Sequence, residues 1–325
     1  MALGRVTGQR ITCFACSAVF GVVFAIRFLI SHMELVGREE DVLNCPRNSR
    51  SCSAVATMHA LREVQSHPRV VVSFTTFPLG KRMTFVADTL RSLAKQTLQP
   101  DQVIINFPTH IARLSIGPLA IPREVEEWKQ MYRWLKVHQT KDYGPATKLL
   151  GALEVEKNPD TIIIIVDDDT YYHHETVLAH VSAMLSSPID IASCFVCEGV
   201  HLDWYGRSQW SYTRAEGKCR GFASGYASYA VRPRYFDKLV WDHSSAPKGC
   251  WMHDDVWISG CMLKATGVRP HVLKPGFHAV AGEFIVKIGA RQNESIFVAN
   301  AAALKTGDDP QGTCVAHFPF TVDVG

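Results

Sequence analysis

The chain has 325 residues, of which 47% are hydrophobic and 20% are charged, and its formal net charge at pH 7 is +3. This composition excludes a collagen-like or a disordered chain, and the small charge surplus argues against nucleic acid as the main partner. The length allows about two domains and a sizeable buried core.

The first predicted element is an apolar segment at residues 11–30, whose only charge is Arg27. A run of about 20 such residues can cross a bilayer as one helix. Basic residues precede the segment and mainly acidic residues follow it, so the positive-inside rule leaves residues 1–10 in the cytosol and the remainder in a lumen. A cleaved signal peptide is the alternative, but the run is long for that role and lacks a small-x-small site after it. We therefore expect a single-pass type II protein of the Golgi or endoplasmic reticulum membrane.

Cysteines and a glycosylation sequon agree with a lumenal location. Asn293 begins the sequon Asn-Glu-Ser. Beyond the apolar segment there is an even number of cysteines, which suits disulfides in an oxidising compartment, although spacing does not reveal their pairing. These cysteines are Cys45, Cys52, Cys194, Cys197, Cys219, Cys250, Cys261 and Cys314.

Residues 31–68 are polar and lack periodicity, which is typical of a stem, and one catalytic domain is predicted at residues 69–325. The domain opens with a β-branched run at 69–75, a helical pattern of apolar residues, and a short strand at 102–106. This order predicts a β-α-β unit.

Further elements extend the same alternation. Residues 124–133 are predicted to be helical, 134–138 a strand, and Pro145 to stand at the start of another helix. The run at 161–166 is apolar on both faces, as expected for a central strand of a mostly parallel sheet covered by helices. A last helix is predicted at 254–265. The fold class is therefore α/β.

Three adjacent carboxylates, Asp167, Asp168 and Asp169, follow the buried strand directly. Open α/β sheets bind ligands beyond the carboxyl ends of their strands. Adjacent carboxylates raise one another's pKa unless a cation compensates, and no neutralising Lys or Arg is evident beside them in the sequence. The pattern favours Mn²⁺ or Mg²⁺ together with a nucleotide diphosphate. A solvated acidic turn is the alternative.

The segments RVVVSFTT, VDDDT and HDDVW together resemble the GT-A fold glycosyltransferases of the family 2-like, DxD-containing type. The resemblance implies a Rossmann-like sheet flanked by helices and a metal held by Asp167 and Asp169, with His278 as a further ligand. It also implies a set of nucleotide-sugar contacts: Thr75, Thr76, Arg82, Lys148, Asp167 and Asp168. For Lys148, a solvated position near a helix start is an equal alternative.

The same resemblance implies an acceptor site and a general base. Gly225 falls in a glycine-containing loop between donor and acceptor pockets, and the rings of Trp251 and Trp257 would stack on sugar faces. Asp255, with Asp254 second, would accept the proton of an acceptor hydroxyl during inverting transfer to a glycan, glycoprotein or glycolipid. An acidic pair in a first helical turn also has a capping explanation.

Other functions share some of these features. A haloacid-dehalogenase-like phosphatase also has DxD after a buried strand, but the residue expected to be Thr or Val is Tyr171 here. A metal-dependent nucleotidyltransferase would have a glycine-rich loop containing lysine, and a lectin-like binding protein would keep the fold without turnover. Retaining transfer needs no base at Asp255.

Overall fold

The structure is a computed structural model, which describes residues 68–111, 114–202, 208–273, 285–287 and 310–320. Several sequence predictions lie outside the described residues: the tail, the membrane anchor, all but the end of the stem, His278 and the sequon at Asn293. Among the described helices, none is both long and apolar enough to span a bilayer.

Strands and helices alternate through the first half of the described chain. The strands are Val70–Thr75 (β1), Gln102–Pro108 (β2), Leu135–Thr140 (β3), Ile162–Ile165 (β4), Thr170–Tyr172 (β5), Ala192–Cys194 (β6), Cys197–Leu202 (β7), Ser208–Thr213 (β8), Gly217–Lys218 (β9), Phe222–Ala223 (β10), Tyr229–Val231 (β11), Pro270–Val272 (β12) and Ile285–Lys287 (β13). The α-helices are Arg82–Ala94 (α1), Arg123–Met131 (α2), Thr147–Val155 (α3), Thr176–Ser186 (α4), Asp254–Thr266 (α5) and Pro310–Ala316 (α6).

Eight of these strands form one sheet, in the order β3-β2-β1-β4-β11-β6-β12-β9. β3, β2, β1 and β4 are parallel neighbours, as are β6 and β12, whereas β11 is antiparallel to both β4 and β6. The described fold is therefore a mixed α/β sheet that is mostly parallel, as the sequence predicts. A three-stranded sheet (β10-β7-β8) and the pair β13-β5 complete it.

Burial explains why β1 and β4 occupy the centre of the large sheet. All four residues of β4 are buried isoleucines, and the valines of β1 are buried as well. A strand that is apolar on both faces avoids water only when helices or loops cover both sides of the sheet. In α1, Val86, Leu90 and Leu93 form the buried stripe that the helical spacing predicts.

Two polar core residues fix the start of α3 against this sheet. The Ser73 hydroxyl donates to the carbonyl oxygen of Lys148 at 2.6 Å, and the Asn106 amide donates to the Ser73 hydroxyl at 2.8 Å. A Cβ on Gly151 would lie 2.3 Å from Oδ1 of Asn106, so this part of α3 approaches β2 closely. The backbone around Lys148 is therefore held from two sides.

Two disulfides lie in the described part of the chain, Cys197–Cys219 and Cys250–Cys314. Cys194 and Cys261 are buried free thiols, so the even number of cysteines after residue 30 does not mean that every one of them is paired. Cys45 and Cys52 lie outside the described residues.

Candidate active site

The acidic segment lies at the carboxyl end of β4, next to the carboxyl end of its parallel neighbour β1. Asp168 is buried, whereas Asp167 and Asp169 are half-buried. The backbone N–H of Asp167 donates to the hydroxyl of Tyr172 at 2.8 Å, which fixes the turn between β4 and β5. The carboxylates therefore emerge at the edge where open α/β sheets bind ligands.

Lys148 joins this edge of the sheet to the start of α5. Its Nζ lies 3.0 Å from Oδ1 of Asp167, 3.0 Å from Oδ2 of Asp254 and 3.5 Å from Oδ1 of Asp255. The Lys148 side chain is only 6% exposed, so these three carboxylates, and not solvent, surround its ammonium. The solvated position that was the alternative for Lys148 is therefore wrong, and its diphosphate contact stays a prediction.

Gly225 follows β10 and lies in contact with Asp255. Its backbone N–H donates to Oδ2 of Asp255 at 2.7 Å. A Cβ at this position would lie 2.5 Å from Nζ of Lys148 and 2.6 Å from Oδ1 of Asp255. Glycine is thus required here by close approach of two charged side chains, at a position that the sequence assigned to the acceptor loop.

Charge around Lys148 is out of balance. Burial opposes the ammonium, but the three carboxylates outweigh burial and raise the pKa of Lys148 well above its ordinary value. Burial raises the pKa of Asp254, and burial together with the charges of Asp254 and Asp167 raises that of Asp255 to about 7 against the attraction of Lys148. One ammonium cannot neutralise three carboxylates, so protonation relieves part of the excess.

Asp168 pairs with a cation of its own. The Arg82 guanidinium donates from Nη1 to both carboxylate oxygens at 2.8 Å and lies 4.5 Å from the centre of the Phe77 ring. Burial opposes the Arg82 charge, but Asp168 outweighs it and raises the pKa of the guanidinium. The expectation that the acidic cluster lacks a neutralising Lys or Arg is therefore wrong for Asp167 and Asp168, because Lys148 and Arg82 reach them from other elements.

Asp167 and Asp169 offer a donor set that fits a divalent metal. Mg²⁺ and Mn²⁺ sites of this kind use one or two protein carboxylates and take the other ligands from water and phosphate. Both side chains are half-buried and so retain access from solvent. No third described protein ligand joins them, and His278, the predicted one, lies outside the described residues.

A separate group of possible ligands lies farther along, at His173, His174 and Glu175, with ligand atoms within 4.8 Å of one another. The backbone N–H of Glu175 donates to Nδ1 of His173 at 3.2 Å, so that nitrogen already serves the turn before α4. This group is not part of the candidate site.

The predicted nucleoside contacts lie at the end of β1. The Thr75 hydroxyl donates to the carbonyl oxygen of Asn106 at 2.9 Å. Thr76 is fully buried, and its hydroxyl has no hydrogen-bond partner among the described residues. Both residues lie at the same edge of the sheet as Asp167, as expected from the parallel pairing of β1 and β4.

The acceptor-side prediction for Trp257 is wrong. Trp257 is fully buried: its indole N–H donates to the carbonyl oxygen of Val240 at 3.0 Å, and its ring stacks on His243. No face of the ring is open to a sugar. Trp251 is half-buried, and its ring nitrogen would lie 3.0 Å from a Cβ on Gly144, which places it beside the segment that leads to Lys148.

Sequence reasoning missed three residues near this site. Glu198 accepts a hydrogen bond from the Ser224 hydroxyl at 2.5 Å, and burial raises its pKa. Tyr229 is buried, and its pKa is raised by burial and by the charge of Asp255. Trp241 is 37% exposed and packs edge-on against Tyr143. Nothing in the sequence marks these three residues, because Trp241, for example, approaches Tyr143 only in the fold.

Comparison with known proteins gives structural neighbours only. No protein-family model matches the sequence, and no curated protein matches it. Among solved structures, GalNAc-T7 with UDP, GalNAc and Mn²⁺ is similar at 11% identity and a TM-score of 0.44, over 64% of this chain and 43% of that one. TarS residues 1–349 from S. aureus in complex with UDP is similar at 18% identity and a TM-score of 0.40, over 64% and 58%.

These two neighbours are glycosyltransferases of the GT-A fold. The chain spans about half the length of each of these two structures. A synthase of 4-diphosphocytidyl-2C-methyl-D-erythritol from Anaerococcus prevotii is also similar, at 11% identity and a TM-score of 0.34, over 54% of this chain and 73% of that one. All three TM-scores lie below 0.5, so these likenesses do not establish a function for the chain.

Proposed function

We propose that this chain is a metal-dependent, inverting glycosyltransferase that moves a sugar from a nucleotide-diphosphate sugar to a hydroxyl acceptor. One observation carries the proposal: the carboxylates that follow β4 and those that begin α5 meet around Lys148 at the ligand-binding edge of the sheet. Residues far apart in sequence thus form one acidic site, with a cation-binding side and a base side.

The charge balance supports a bound cation. The site holds five aspartates (Asp167, Asp168, Asp169, Asp254 and Asp255), whereas Lys148 and Arg82 are the two cations that the described residues place against them. An anionic diphosphate would be repelled by this excess unless a divalent metal entered with it.

Asp167 and Asp169 would hold the metal, with His278 as the proposed third ligand. When bound, a divalent metal stabilises the negative charge that develops on a leaving diphosphate. Arg82 is tied to Asp168 and therefore fixes the acidic turn from the side of α1. Thr75 and Thr76, at the end of β1, are the proposed contacts to the nucleoside.

Exposure separates the two candidate bases. The Asp255 side chain is 24% exposed and that of Asp254 is 7% exposed, so Asp255 is the carboxylate that an acceptor hydroxyl can reach. The Gly225 N–H holds Oδ2 of Asp255, and Oδ1 faces Lys148 at the longer distance of 3.5 Å. Asp255 would take the hydroxyl proton as the acceptor oxygen attacks the anomeric carbon from the face opposite the diphosphate. Such a displacement inverts the anomeric configuration.

The acceptor and the membrane location complete the proposal. Trp251 and Gly225 would contact a glycan, glycoprotein or glycolipid acceptor, because Gly225 borders Lys148 and Asp255, and Trp251 borders Gly144 shortly before α3. The two disulfides suit an oxidising compartment. We place the catalytic domain in the lumen of the Golgi or endoplasmic reticulum, anchored through residues 11–30 and glycosylated at Asn293.

A donor-hydrolysis assay tests the proposal. The full chain is incubated with a panel of sugar nucleotides and Mn²⁺, and released nucleotide is measured. We expect release from at least one donor, its loss in EDTA, and its loss in the double variant Asp167→Asn with Asp169→Asn. Asp88→Asn, a partly exposed carboxylate paired with Arg91 on α1, is the matched control and is expected to keep activity.

Two outcomes contradict the proposal. Release of inorganic phosphate from simple phosphoesters, without nucleotide release from sugar nucleotides, indicates a phosphatase. Sugar binding with no turnover of any donor indicates a carbohydrate-binding protein.

A further inference from the structure

Lys148 has an environment that a phosphate-binding lysine does not need. Its ammonium is buried, and it contacts one carboxylate from the turn after β4 and two from the first turn of α5. A lysine that binds a ligand's phosphate needs an N–H donor directed into an open pocket. Here the described neighbours of the Lys148 ammonium are three carboxylates of the protein itself. The geometry indicates a role within the protein.

The backbone of Lys148 is as firmly held as its side chain. Its carbonyl oxygen accepts hydrogen bonds from the Ser73 hydroxyl at 2.6 Å and from the Asn106 amide at 3.3 Å. Both donors belong to central strands of the large sheet. The Lys148 backbone is therefore fixed to β1 and β2, and groups that contact its Nζ are held at a defined position relative to these strands.

Gly225 shows how closely the neighbouring loop follows Lys148. The space that a side chain would need at Gly225 is filled by Nζ of Lys148 and by the Asp255 carboxylate. The Gly225 N–H in turn donates to Asp255. Lys148, Asp255 and Gly225 are thus packed against one another. A shift of the Lys148 ammonium would also disturb the hydrogen bond between the Gly225 N–H and Asp255.

We propose that Lys148 is a positioning residue: its single buried ammonium holds Asp167, on the metal side, and Asp255, on the base side, at a fixed separation. The proposal rests on the proposed function for its chemical meaning, because the reaction needs the leaving diphosphate and the attacking hydroxyl aligned on one anomeric carbon. Lys148 does not contact the donor's phosphates.

A pair of variants that differ only at residue 148 tests the positioning role. Lys148→Met alone leaves three buried carboxylates without their cation and is expected to fold poorly. The double variant Lys148→Met with Asp254→Asn removes one charge of each sign, so the cluster keeps the net charge that it has in the wild-type chain. Its partner is the single variant Asp254→Asn, in which Lys148 still contacts Asp167 and Asp255. Lys129→Met, an exposed lysine paired with Glu126 on α2, controls for the substitution itself.

We expect the double variant to lose at least tenfold in kcat for donor hydrolysis relative to Asp254→Asn, with the donor KM changed less than threefold. Equal kcat values would show that Lys148 does not position the reacting groups. A raised donor KM with unchanged kcat would show that Lys148 binds the phosphates. Either result overturns the proposal.

Hydrogen exchange on the full chain supplies a measurement that does not depend on turnover. The peptide that contains Gly225 should exchange at least fivefold faster in the double variant than in Asp254→Asn, because Asp255 is released from its position and its bond to the Gly225 N–H weakens. Unchanged protection of that peptide would overturn the positioning role even if the chain turned over no donor. Faster exchange in a chain without turnover would keep the positioning role and contradict the proposed function alone.

Discussion

At the scale of single residues, Gly225 should tolerate no side chain. A Cβ there would overlap Lys148 and Asp255, so Gly225→Ala forces two charged side chains to move. We expect a loss of about 1–3 kcal/mol in the free energy of unfolding, together with a fall of at least tenfold in donor hydrolysis. Denaturant titration and the nucleotide-release assay measure the two effects.

Gly199→Ala on β7 is the matched control for this substitution. The nearest atom to a Cβ at Gly199 is the Ser211 hydroxyl oxygen at 3.7 Å, an ordinary contact. If both variants had the same free energy of unfolding and the same rate of donor hydrolysis, the close packing around Gly225 would matter for neither stability nor activity.

The raised pKa of Asp255 predicts how stability depends on pH in the metal-free protein. Folding raises this pKa from its ordinary value of 3.8 to about 7, chiefly through burial. The folded chain therefore retains a proton that the unfolded chain has lost, and the associated stability is present below about pH 4 and lost as the pH rises to about 7.

Denaturant titrations in EDTA at several pH values measure this effect. The free energy of unfolding of the wild-type chain, minus that of Asp255→Asn, should fall as the pH rises between these limits. A difference that stayed constant, or that increased, would mean that Asp255 is ionised throughout.

Individual residues were predictable from the sequence to different degrees. The position of Asp167 followed from a buried strand that ends in carboxylates, but its contact with Lys148 did not follow from the sequence. Lys148 meets Asp254 only because α3 and α5 approach each other in the fold. The prediction for Trp257 was wrong because the sequence of a tryptophan beside an acidic pair does not show whether the ring faces a ligand or the core.

At the scale of elements, one buried ion pair ties α1 to the turn after β4. Arg82 and Asp168 are 15% and 6% exposed, respectively, and Arg82 donates to both carboxylate oxygens. Arg82→Gln would leave Asp168 buried without its cation, which costs about 3 kcal/mol in the free energy of unfolding. Because the acidic turn would shift with it, metal-dependent nucleotide release should also fall.

Arg91→Gln on the same helix provides the comparison. Arg91 pairs with Asp88 at the surface, and exposed pairs contribute about 0–1 kcal/mol. Thermal melts of the two variants should therefore separate clearly. Equal melting temperatures would show that the Arg82 pair does not fix α1 to the turn.

Element boundaries were predictable where hydrophobic patterns are long. The expected strand at 161–166 is observed as Ile162–Ile165, and the helix at 254–265 as Asp254–Thr266. Long hydrophobic patterns predict which residues are buried, and the extent of the buried run determines where these elements begin and end. The two-residue strands β9 and β10 carry no such pattern, because their pairing depends on partners far along the chain.

At the scale of the whole molecule, the disulfides bind distant parts of the described chain. Cys250–Cys314 joins the segment before α5 to α6, across 64 residues. Closing a loop of this length stabilises a fold by about 4 kcal/mol in the chain-entropy model. Cys250→Ser with Cys314→Ser should lower the melting temperature and, because Asp254 follows Cys250 closely, reduce donor hydrolysis.

Thiol labelling checks the disulfide assignment directly. Without reductant or denaturant, Cys194 and Cys261 should resist alkylation because both are buried, and in denaturant they should react. Alkylation of Cys250 or Cys314 in denaturant without reductant, detected by mass spectrometry, would contradict the pairing.

The overall α/β class was predictable because strands and helices alternate along the chain. The insertion of antiparallel β11 between β4 and β6 was not, since a short apolar strand pairs equally well in either direction. The cysteine pairing depends in the same way on three-dimensional proximity, which spacing alone does not encode.

The central claim is that the acidic edge of the sheet binds a divalent metal together with a nucleotide diphosphate. Titration calorimetry of the full chain with UDP or GDP, in the presence and absence of Mn²⁺, tests it most directly, with Asp169→Asn as the variant. We predict Mn²⁺-dependent binding of one nucleotide that weakens at least 30-fold in Asp169→Asn. Binding that is equal with and without Mn²⁺, or no binding of either nucleotide by the folded wild-type chain, would contradict the claim.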